Sequence, residues 1–179
     1  MSYEQRPASA DFPPFYHRYV EEAGGADLLQ ALRISEERMR SALLHFRPDQ
    51  EDHRYAPGKW SVKEVAQHVI DGERIFAYRA LRFARNDNTA LPGFEENDYV
   101  PASRCERRTI KDLLREYGAV REATTLLFES LPPEALDRSG MANERPITVR
   151  ALGWVIAGHS NHHVNILLER YLPTAGTGR

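Results

Sequence analysis

Two histidines four residues apart are the feature of this chain that points most directly to chemistry. His159 and His163 lie in the stretch Gly-His-Ser-Asn-His-His-Val-Asn, within a strongly apolar segment that follows Pro146. If this segment is a helix, positions i and i+4 lie on one face with their Cβ atoms about 6 Å apart. That separation allows both imidazoles to bind one metal ion.

A helical wheel directs both rings towards the core. The mean direction of the apolar side chains in this segment falls between His159 and His163, each about 20° to one side. His162 lies about 80° from that centre, so we interpret it as a flanking residue. A histidine on an apolar face can also be a core residue satisfied by a carbonyl or carboxylate, and that alternative stays open. Two histidines at the centre of one stripe favour the metal site.

A third imidazole is found far upstream, on a second predicted helix. Ser61 and Glu64 have the spacing of a capping box, which predicts a helix start. His68 borders the buried stripe of this helix, four residues before Gly72, where the missing side chain leaves room for a bulky neighbour. If the two helices pack side by side, His68 and the histidine pair supply three nitrogen ligands. Such a site keeps coordination positions open for water or substrate, as catalytic sites do.

Asp71 is the acidic residue that we single out near these histidines. It follows His68 by three residues, where it could orient a ligand imidazole or accept a proton near the metal; an exposed carboxylate paired with Arg74 or a lysine is the alternative. Ser160 stands where the metalloprotease motif His-Glu-x-x-His has its glutamate, which argues against peptide hydrolysis. The sequence also has no Gly-x-Ser-x-Gly elbow, no phosphate-binding Gly-rich loop and no paired cysteine motif.

Apolar residues at helical spacing predict four long helices, with no strand pattern between them. The predicted ranges are 27–46, 61–85, 109–131 and 148–172. Asp27, Ser61, Thr109 and Thr148 are the predicted first residues. The fold class is therefore all-α, a four-helix bundle with a long connection, residues 86–108, between the second and third helices.

An aromatic segment before the first long helix predicts an extra, shorter helical element. Its aromatic residues are Phe12, Phe15, Tyr16 and Tyr19, and Gly24-Gly25 ends it. We expect it to pack across one end of the bundle and to form part of a pocket wall. The fourth helix is also apolar opposite the histidines, around Trp154, so either this segment or a second subunit must cover that side. A homodimer is one expectation, and a buried helix in a monomer is the other.

Composition bounds the class of protein. The chain has 179 residues, 24 basic and 26 acidic side chains and a hydrophobic fraction of 41%, which describe one soluble domain spanning residues 1–179. The nearly neutral balance and the lack of a basic stripe argue against a nucleic-acid partner. No apolar stretch reaches the roughly 20 residues of a membrane span, and the first residues show no signal-peptide core, so we expect a cytoplasmic protein with no membrane partner. Cys105, the single cysteine, is expected to be a spare surface thiol rather than a reactive thiolate.

Three segments have the form of known family signatures: Trp60-Ser-Val-Lys-Glu-Val-Ala-Gln-His68, Asp71-Gly-Glu73-Arg74 and Gly158-His-Ser-Asn-His-His163. They resemble the signature segments of the DinB/YfiT-like superfamily of four-helix-bundle metalloproteins, and the resemblance covers nearly the whole chain. It implies that His68, His159 and His163 bind one divalent ion, commonly zinc or nickel. Members of understood activity are mainly transferases that join a low-molecular-weight thiol, such as bacillithiol, to an electrophile, or isomerases that use mycothiol.

The function that we expect is transfer of a low-molecular-weight thiol to an electrophilic small molecule at this three-histidine site. No obvious base stands beside the histidines, which favours a nucleophile brought as a cosubstrate. A metal-dependent amide or ester hydrolase is the alternative enzyme. A non-catalytic metal-binding bundle is the alternative of another class, and a lined pocket beside the metal would argue against it.

Overall fold

The computed structural model describes residues 3–175, most of them helical. The helices are α1 (His17–Glu22), α2 (Leu28–Leu44), α3 (Val62–Ala84), α4 (Glu96–Ala102), α5 (Ile110–Glu129), α6 (Val149–Ile166) and α7 (Leu172–Ala175). A π-helical turn, Leu167–Tyr171, joins α6 to α7. The long helices α2, α3, α5 and α6 form the four-helix bundle that the sequence predicts.

Each long helix begins where the sequence predicts, because a side chain caps its first turn. Asp27 accepts a hydrogen bond from the backbone N–H of Gln30 at 2.7 Å. The corresponding caps of the other three long helices are Ser61, Thr109 and Thr148. Each cap satisfies a backbone N–H that the helix itself leaves without a partner. Helices α2 and α5 end at Leu44 and Glu129, two residues earlier than predicted, and α6 ends at Ile166, beyond which a π-helical turn continues to Tyr171.

Helix α6 lies at the centre of the bundle and packs against α1, α2 and α3. Trp154 on its outer side is completely buried, and the guanidinium carbon of Arg6 lies 4.4 Å from the centroid of its indole ring. The side-chain amide of Asn161 donates to the carbonyl oxygens of Glu22 and Ala23, at 2.8 and 2.9 Å, where α1 ends. The N-terminal segment of the same chain therefore covers this side, which gives no support for a homodimer.

The core consists of two hydrophobic clusters. Trp154 and Phe76 belong to the first, and Trp60 packs against the second. The histidine rings contact both, since His159 lies 5.8 Å from Phe76 and His68 lies 4.7 Å from Trp60 between ring centroids. The three-histidine region thus lies where the two clusters meet.

The connection between α3 and α5 contains the short helix α4. Between α5 and α6 the structure has a β-hairpin, although the sequence predicted no strand. Its strands are β1 (Ser139–Ala142) and β2 (Arg145–Thr148), which pair antiparallel. Asn143 and Glu144 form the turn with positive φ values of 50° and 61°, the conformation of a tight hairpin turn. No glycine marks this turn in the sequence, and the strands are too short to show an alternating pattern. Leu91 of the connection forms a bridge to Ala142, which ties the connection to the hairpin.

Cys105 is buried, so the expected surface thiol is wrong. It opens a short 3-10 turn after α4, and burial raises the pKa of its thiol. A raised pKa disfavours the thiolate that reactive cysteines need. Among the residues that the structure describes, no helix is both long enough and apolar enough to cross a membrane.

Candidate metal centre

Three histidine rings converge between α3 and α6. The Nε2 atom of His159 lies 2.9 Å from Nε2 of His68 and 3.1 Å from Nε2 of His163. One potential ligand atom from each ring falls within 4.8 Å of the others. The i, i+4 spacing brings the two rings of α6 together, and the packing of α3 against α6 adds the third. The structure thus brings together the three histidines named from the sequence, while their role as ligands stays a prediction.

Hydrogen bonding alone does not account for this arrangement. In a neutral imidazole each ring nitrogen carries either one proton or one lone pair, so Nε2 of His159 makes one good hydrogen bond and not two. In addition, Nδ1 of His163 is buried and has no hydrogen-bond partner among residues 3–175. Three ring nitrogens directed at one point suit a divalent cation that prefers imidazole, such as zinc or nickel. The residues present therefore fit a bound metal ion.

The surroundings keep all three rings neutral. Burial lowers the pKa of His68 to about 4. Burial, followed by the neighbouring histidines, also holds the pKa values of His159 and His163 well below the ordinary range. A histidine binds metal only in its neutral form, so the folded protein presents the rings in the state that a metal ion requires.

Close packing fixes the orientation of the His159 ring. The ring centroids of Tyr19 and Phe76 lie 5.3 and 5.8 Å away, both in edge-to-face contact. Gly72 supports the same ring from α3, since a Cβ atom there would stand 3.1 Å from Cε1 of His159. The room that the sequence assigned to this glycine is therefore occupied by a histidine of the cluster.

His162 turns away from the cluster, as the helical wheel predicts. Its Nδ1 atom lies 3.2 Å from Oε2 of Glu22, in α1. Its ring also packs against Tyr19, with 5.3 Å between the centroids. His162 therefore joins α6 to the N-terminal segment.

Asp71 is partly buried on α3, where its carboxylate faces Gln67 and Arg74. Its Oδ1 atom accepts a hydrogen bond from Nε2 of Gln67 at 3.0 Å and lies 3.9 Å from a guanidinium nitrogen of Arg74. Burial raises the pKa of its carboxyl group. No hydrogen bond within the described range joins Asp71 to a ring of the cluster, so its role at the site stays a prediction.

A cavity of about 200 Å³ opens beside His68 and His159. Its walls are largely aromatic, formed by Phe15, Tyr16, Tyr19, Phe76 and Phe94. The first three belong to the N-terminal segment, which therefore forms a pocket wall as predicted, whereas Phe12 is buried in the core. The polar groups of the wall include Arg79, Glu96 and Asn143. The cavity gives a small molecule access to two of the three rings.

Sequence reasoning missed several residues of this wall. Arg79 had a usable signal, because it lies about two helical turns after Gly72 and so on the same buried face of α3. A charged residue on such a face needs an explanation. Phe94 and Asn143 had no such signal, since they lie in the connection and in the turn of the hairpin.

A second cavity, of about 260 Å³, reaches His163. Its wall combines aromatic and basic side chains, among them Tyr55, Lys59, Trp60, Arg170 and Tyr171. His68 and His159 line the first cavity and not this one. The histidine cluster is thus flanked by two cavities of different chemistry.

Fold and site together define a four-helix bundle with a buried three-histidine centre of the metal-binding type. The family model of the DinB superfamily matches residues 31–167, a range that contains all three histidines, and the chain belongs to this superfamily. A solved structure of similar fold is that of YfiT from Bacillus subtilis, described as "a probable metal-dependent hydrolase with an unusual four-helix bundle topology". The two share 17% sequence identity at a TM-score of 0.72, over 93% of this chain and 91% of the other. A comparison with curated proteins gave no match.

Proposed function

We propose that the protein is a metal-dependent hydrolase that acts on a small substrate in the aromatic cavity beside His68 and His159. The observation that carries this proposal is the contact between that cavity and two rings, His68 and His159, of the three-histidine cluster. A structural zinc site is closed by four protein ligands, whereas a catalytic site has three and an open position. A lined cavity at a three-ligand site therefore supports an enzyme over a non-catalytic bundle.

The side chains around the cavity have separate tasks in this proposal. A divalent ion held by the three histidines would supply a Lewis acid and lower the pKa of a coordinated water molecule. The aromatic walls exclude bulk water and hold the apolar part of the substrate. Tyr19 and Phe76 keep the ring of His159 in position. Asp71 lies one helical turn from His68. It would help to hold α3, and with it the ring of His68, in position rather than act on the substrate.

We prefer hydrolysis to thiol transfer because YfiT is described as a probable metal-dependent hydrolase, and no comparison points to a thiol. Transfer of a low-molecular-weight thiol is the second candidate, and the cavity at His163 is the observation that favours it. That cavity, with Lys59 and Arg170 on its wall, gives a cosubstrate a separate approach to the cluster. A two-substrate reaction needs such room.

Small molecules are therefore the partners that we propose, with zinc or nickel as the ion. Both metals suit imidazole ligands. A cytoplasmic location also belongs to the proposal, since a single buried cysteine suits a reducing compartment.

The test uses protein purified without an affinity tag and loaded with zinc or with nickel. Small amides and esters are offered with and without a low-molecular-weight thiol. We expect hydrolysis that requires the metal but no thiol, that His159→Ala abolishes and that His162→Ala retains. If turnover instead requires both metal and thiol, and mass spectrometry finds the thioether product, the protein is a transferase and Cys105→Ser should retain that activity. If neither panel shows metal-dependent turnover, the hydrolase proposal is wrong.

A further inference from the structure

Arg79 places a buried positive charge on the wall of the cavity beside the histidines. Its side chain is only 4% exposed. One guanidinium nitrogen donates to the carbonyl oxygen of Pro92 at 2.9 Å. The hydroxyl of Tyr16 is a second neighbour, within hydrogen-bonding reach of Arg79. Neither group carries a negative charge that would neutralise the arginine.

Each of the other buried arginines of the described chain pairs with a carboxylate. Arg121 lies 2.8 Å from a carboxylate oxygen of Glu73, and Arg150 lies 2.7 Å from one of Asp137. Within residues 3–175, no carboxylate comes within 4.0 Å of the Arg79 guanidinium. An uncompensated buried charge costs several kcal/mol, so a counter-charge is expected where water is excluded. Arg79 lines the cavity beside the histidines and also a neighbouring cavity of about 470 Å³, and its guanidinium carbon lies 6.0 Å from the centroid of the Phe94 ring.

Glu96 is the acidic residue that shares this cavity wall. It stands at the first position of α4, on the connection, and is partly exposed. It does not pair with Arg79. The cavity therefore presents a cation deep in its wall, together with a carboxylate that solvent can reach.

We propose that Arg79 determines the specificity of the cavity by binding the carboxylate of a small substrate with an apolar or aromatic body. A guanidinium has five N–H donors in one plane, and those not used by Pro92 and Tyr16 can bind both oxygens of a carboxylate. One cation matches one negative charge. A volume of about 200 Å³ lies below the roughly 300–1,000 Å³ of pockets for drug-sized ligands, which indicates a small molecule.

The positions along α3 also indicate where the reacting bond lies in this substrate. Arg79 follows Gly72, the neighbour of His159, by about two helical turns, or roughly 10 Å along the helix axis. A carboxylate held by Arg79 would therefore be a group of the substrate separate from the bond to be cleaved. This inference rests on the proposed function for the identity of the reaction, but anion binding can be measured without turnover.

The experiment compares two probes of the same shape, 3-phenylpropanoate and 3-phenylpropanamide, which differ in charge. Their binding to zinc-loaded protein is measured by titration calorimetry. We expect the wild type to bind the carboxylate about tenfold more tightly than the amide, and Arg79→Gln to remove that preference by weakening carboxylate binding alone. The matched control is Arg85→Gln, an exposed arginine at the end of the same helix, which should keep the preference.

Several results would overturn the inference. A carboxylate that binds only to the metal would have the same affinity in Arg79→Gln as in the wild type. Equal losses for both probes would give Arg79 a packing role through Pro92. If Glu96→Gln creates a carboxylate preference that the wild type lacks, Glu96 neutralises Arg79 in solution and no substrate carboxylate is needed.

Folding of the variants is checked by circular dichroism and zinc content. If Arg79→Gln does not fold, Arg79→Lys replaces it, because lysine keeps the charge but loses the planar pair of donors. Carboxylate affinity should then fall about threefold or more while amide affinity stays unchanged, and no fall would contradict the inference. Carboxylate binding that depends on Arg79 without any hydrolysis would refute the proposed function and leave this inference intact. Hydrolysis of neutral substrates that is unchanged in Arg79→Gln, together with no carboxylate preference in binding, would support the proposed function and refute this inference.

Discussion

Gly72 in α3 lies directly against the ring of His159 in α6, so that a Cβ atom at Gly72 would stand 3.1 Å from Cε1 and 3.5 Å from Nδ1 of that ring. The shorter distance is below ordinary van der Waals contact, and any side chain at this position would push the ring. The close approach of the two helices therefore sets the orientation of one of the three rings. Gly72 is also one helical turn from His68, which ties both helices to the same centre.

Gly72→Ala should weaken metal binding without unfolding the protein. A displaced His159 ring no longer points at the common centre, and losses of orienting contacts typically cost about 10–100-fold in metal affinity. The helix itself should tolerate alanine, since alanine is a better helix former than glycine by about 1 kcal/mol. Zinc affinity is measured by competition with a chelator, and helix content by circular dichroism.

Gly118→Ala is the matched control for this substitution. Gly118 lies in α5, where a Cβ atom would meet only the side chain of Arg40, at 3.4 Å, and that of Glu36, at 3.8 Å. We expect unchanged zinc affinity in this variant. Equal affinities in Gly72→Ala and Gly118→Ala would mean that the ring does not need the space at Gly72.

Replacement of any one of the three converging histidines by alanine should strongly reduce the bound metal, which we expect at about one ion per chain. Each replacement leaves two nitrogen ligands, fewer than the three of a catalytic zinc site. His162→Ala should retain the metal because this ring faces Glu22. Metal content after dialysis is the measurement, and X-ray absorption should give metal to nitrogen distances of about 2.0–2.1 Å. Equal losses in all four variants would contradict the assignment.

The main lines of the fold and the convergence of the rings follow from periodicity and caps in the sequence. Asp27 and Ser61 cap helices whose apolar faces recur at helical spacing, and such local signals need no knowledge of tertiary contacts. His68, His159 and His163 lie on buried faces of two helices, so packing those faces together was enough to predict that the rings meet.

The hairpin and the wall of the cavity depend on contacts between distant parts of the chain, which the sequence does not show. Gly140 in β1 lies so close to the ring of Phe83 that a Cβ atom would stand 2.2 Å from it, and Leu91 pairs with Ala142. These contacts, rather than strand propensity, hold the short strands in place. The sequence likewise could not decide what covers Trp154, because either a second subunit or the N-terminal segment could pack against the same apolar surface.

The metal-free protein should lose stability as the pH falls from about 6.5 towards 4, because its buried histidines resist protonation. In the folded protein the pKa of His68 is lowered to about 4, whereas in the unfolded chain a histidine takes up its proton near pH 6.5. Between these values the unfolded state binds more protons, so the free energy of unfolding rises with pH. Each such histidine contributes a slope of up to about 1.4 kcal/mol per pH unit.

Urea unfolding at a series of pH values measures this slope. His68→Leu should reduce it, because one proton no longer distinguishes the two states. The control is His45→Gln, since His45 is exposed at the end of α2. A slope that is the same in the wild type and in His68→Leu would show that His68 does not resist protonation in the folded protein.

Gly158→Ala should destabilise the protein through the N-terminal segment. A Cβ atom at Gly158 would stand 1.6 Å from the carbonyl oxygen of Tyr19, so α1 would have to move away from α6. We expect a loss of about 3 kcal/mol, the upper part of the usual range for overpacking, because backbone cannot turn aside as a side chain can. Urea unfolding measures the loss. A stability equal to that of the wild type would mean that α1 does not hold this position in solution.

Removal of one partner of the ion pair between Glu73 and Arg121 should destabilise the protein more than replacement of both partners. Both side chains are buried, with exposures of 2% and 1%, and two hydrogen bonds of 2.8 Å join them. Arg121 also donates to Ser35 Oγ at 2.6 Å. Glu73→Gln leaves the guanidinium charged and without its counter-ion, which should cost about 3–5 kcal/mol in the free energy of unfolding.

The double variant Glu73→Leu with Arg121→Met should recover most of that loss, because two apolar side chains need no charge compensation in the core. Glu116→Gln is the control: its partners Arg74 and Arg108 lie near the surface, so the loss should stay below about 1 kcal/mol. Urea unfolding of the four proteins, with the wild type as reference, gives these differences.

If the double variant is as unstable as Glu73→Gln, the cost arises from lost packing or from Ser35 rather than from the uncompensated charge. A small loss in Glu73→Gln itself would mean that water reaches Arg121, and that this part of the bundle is more open than the structure shows.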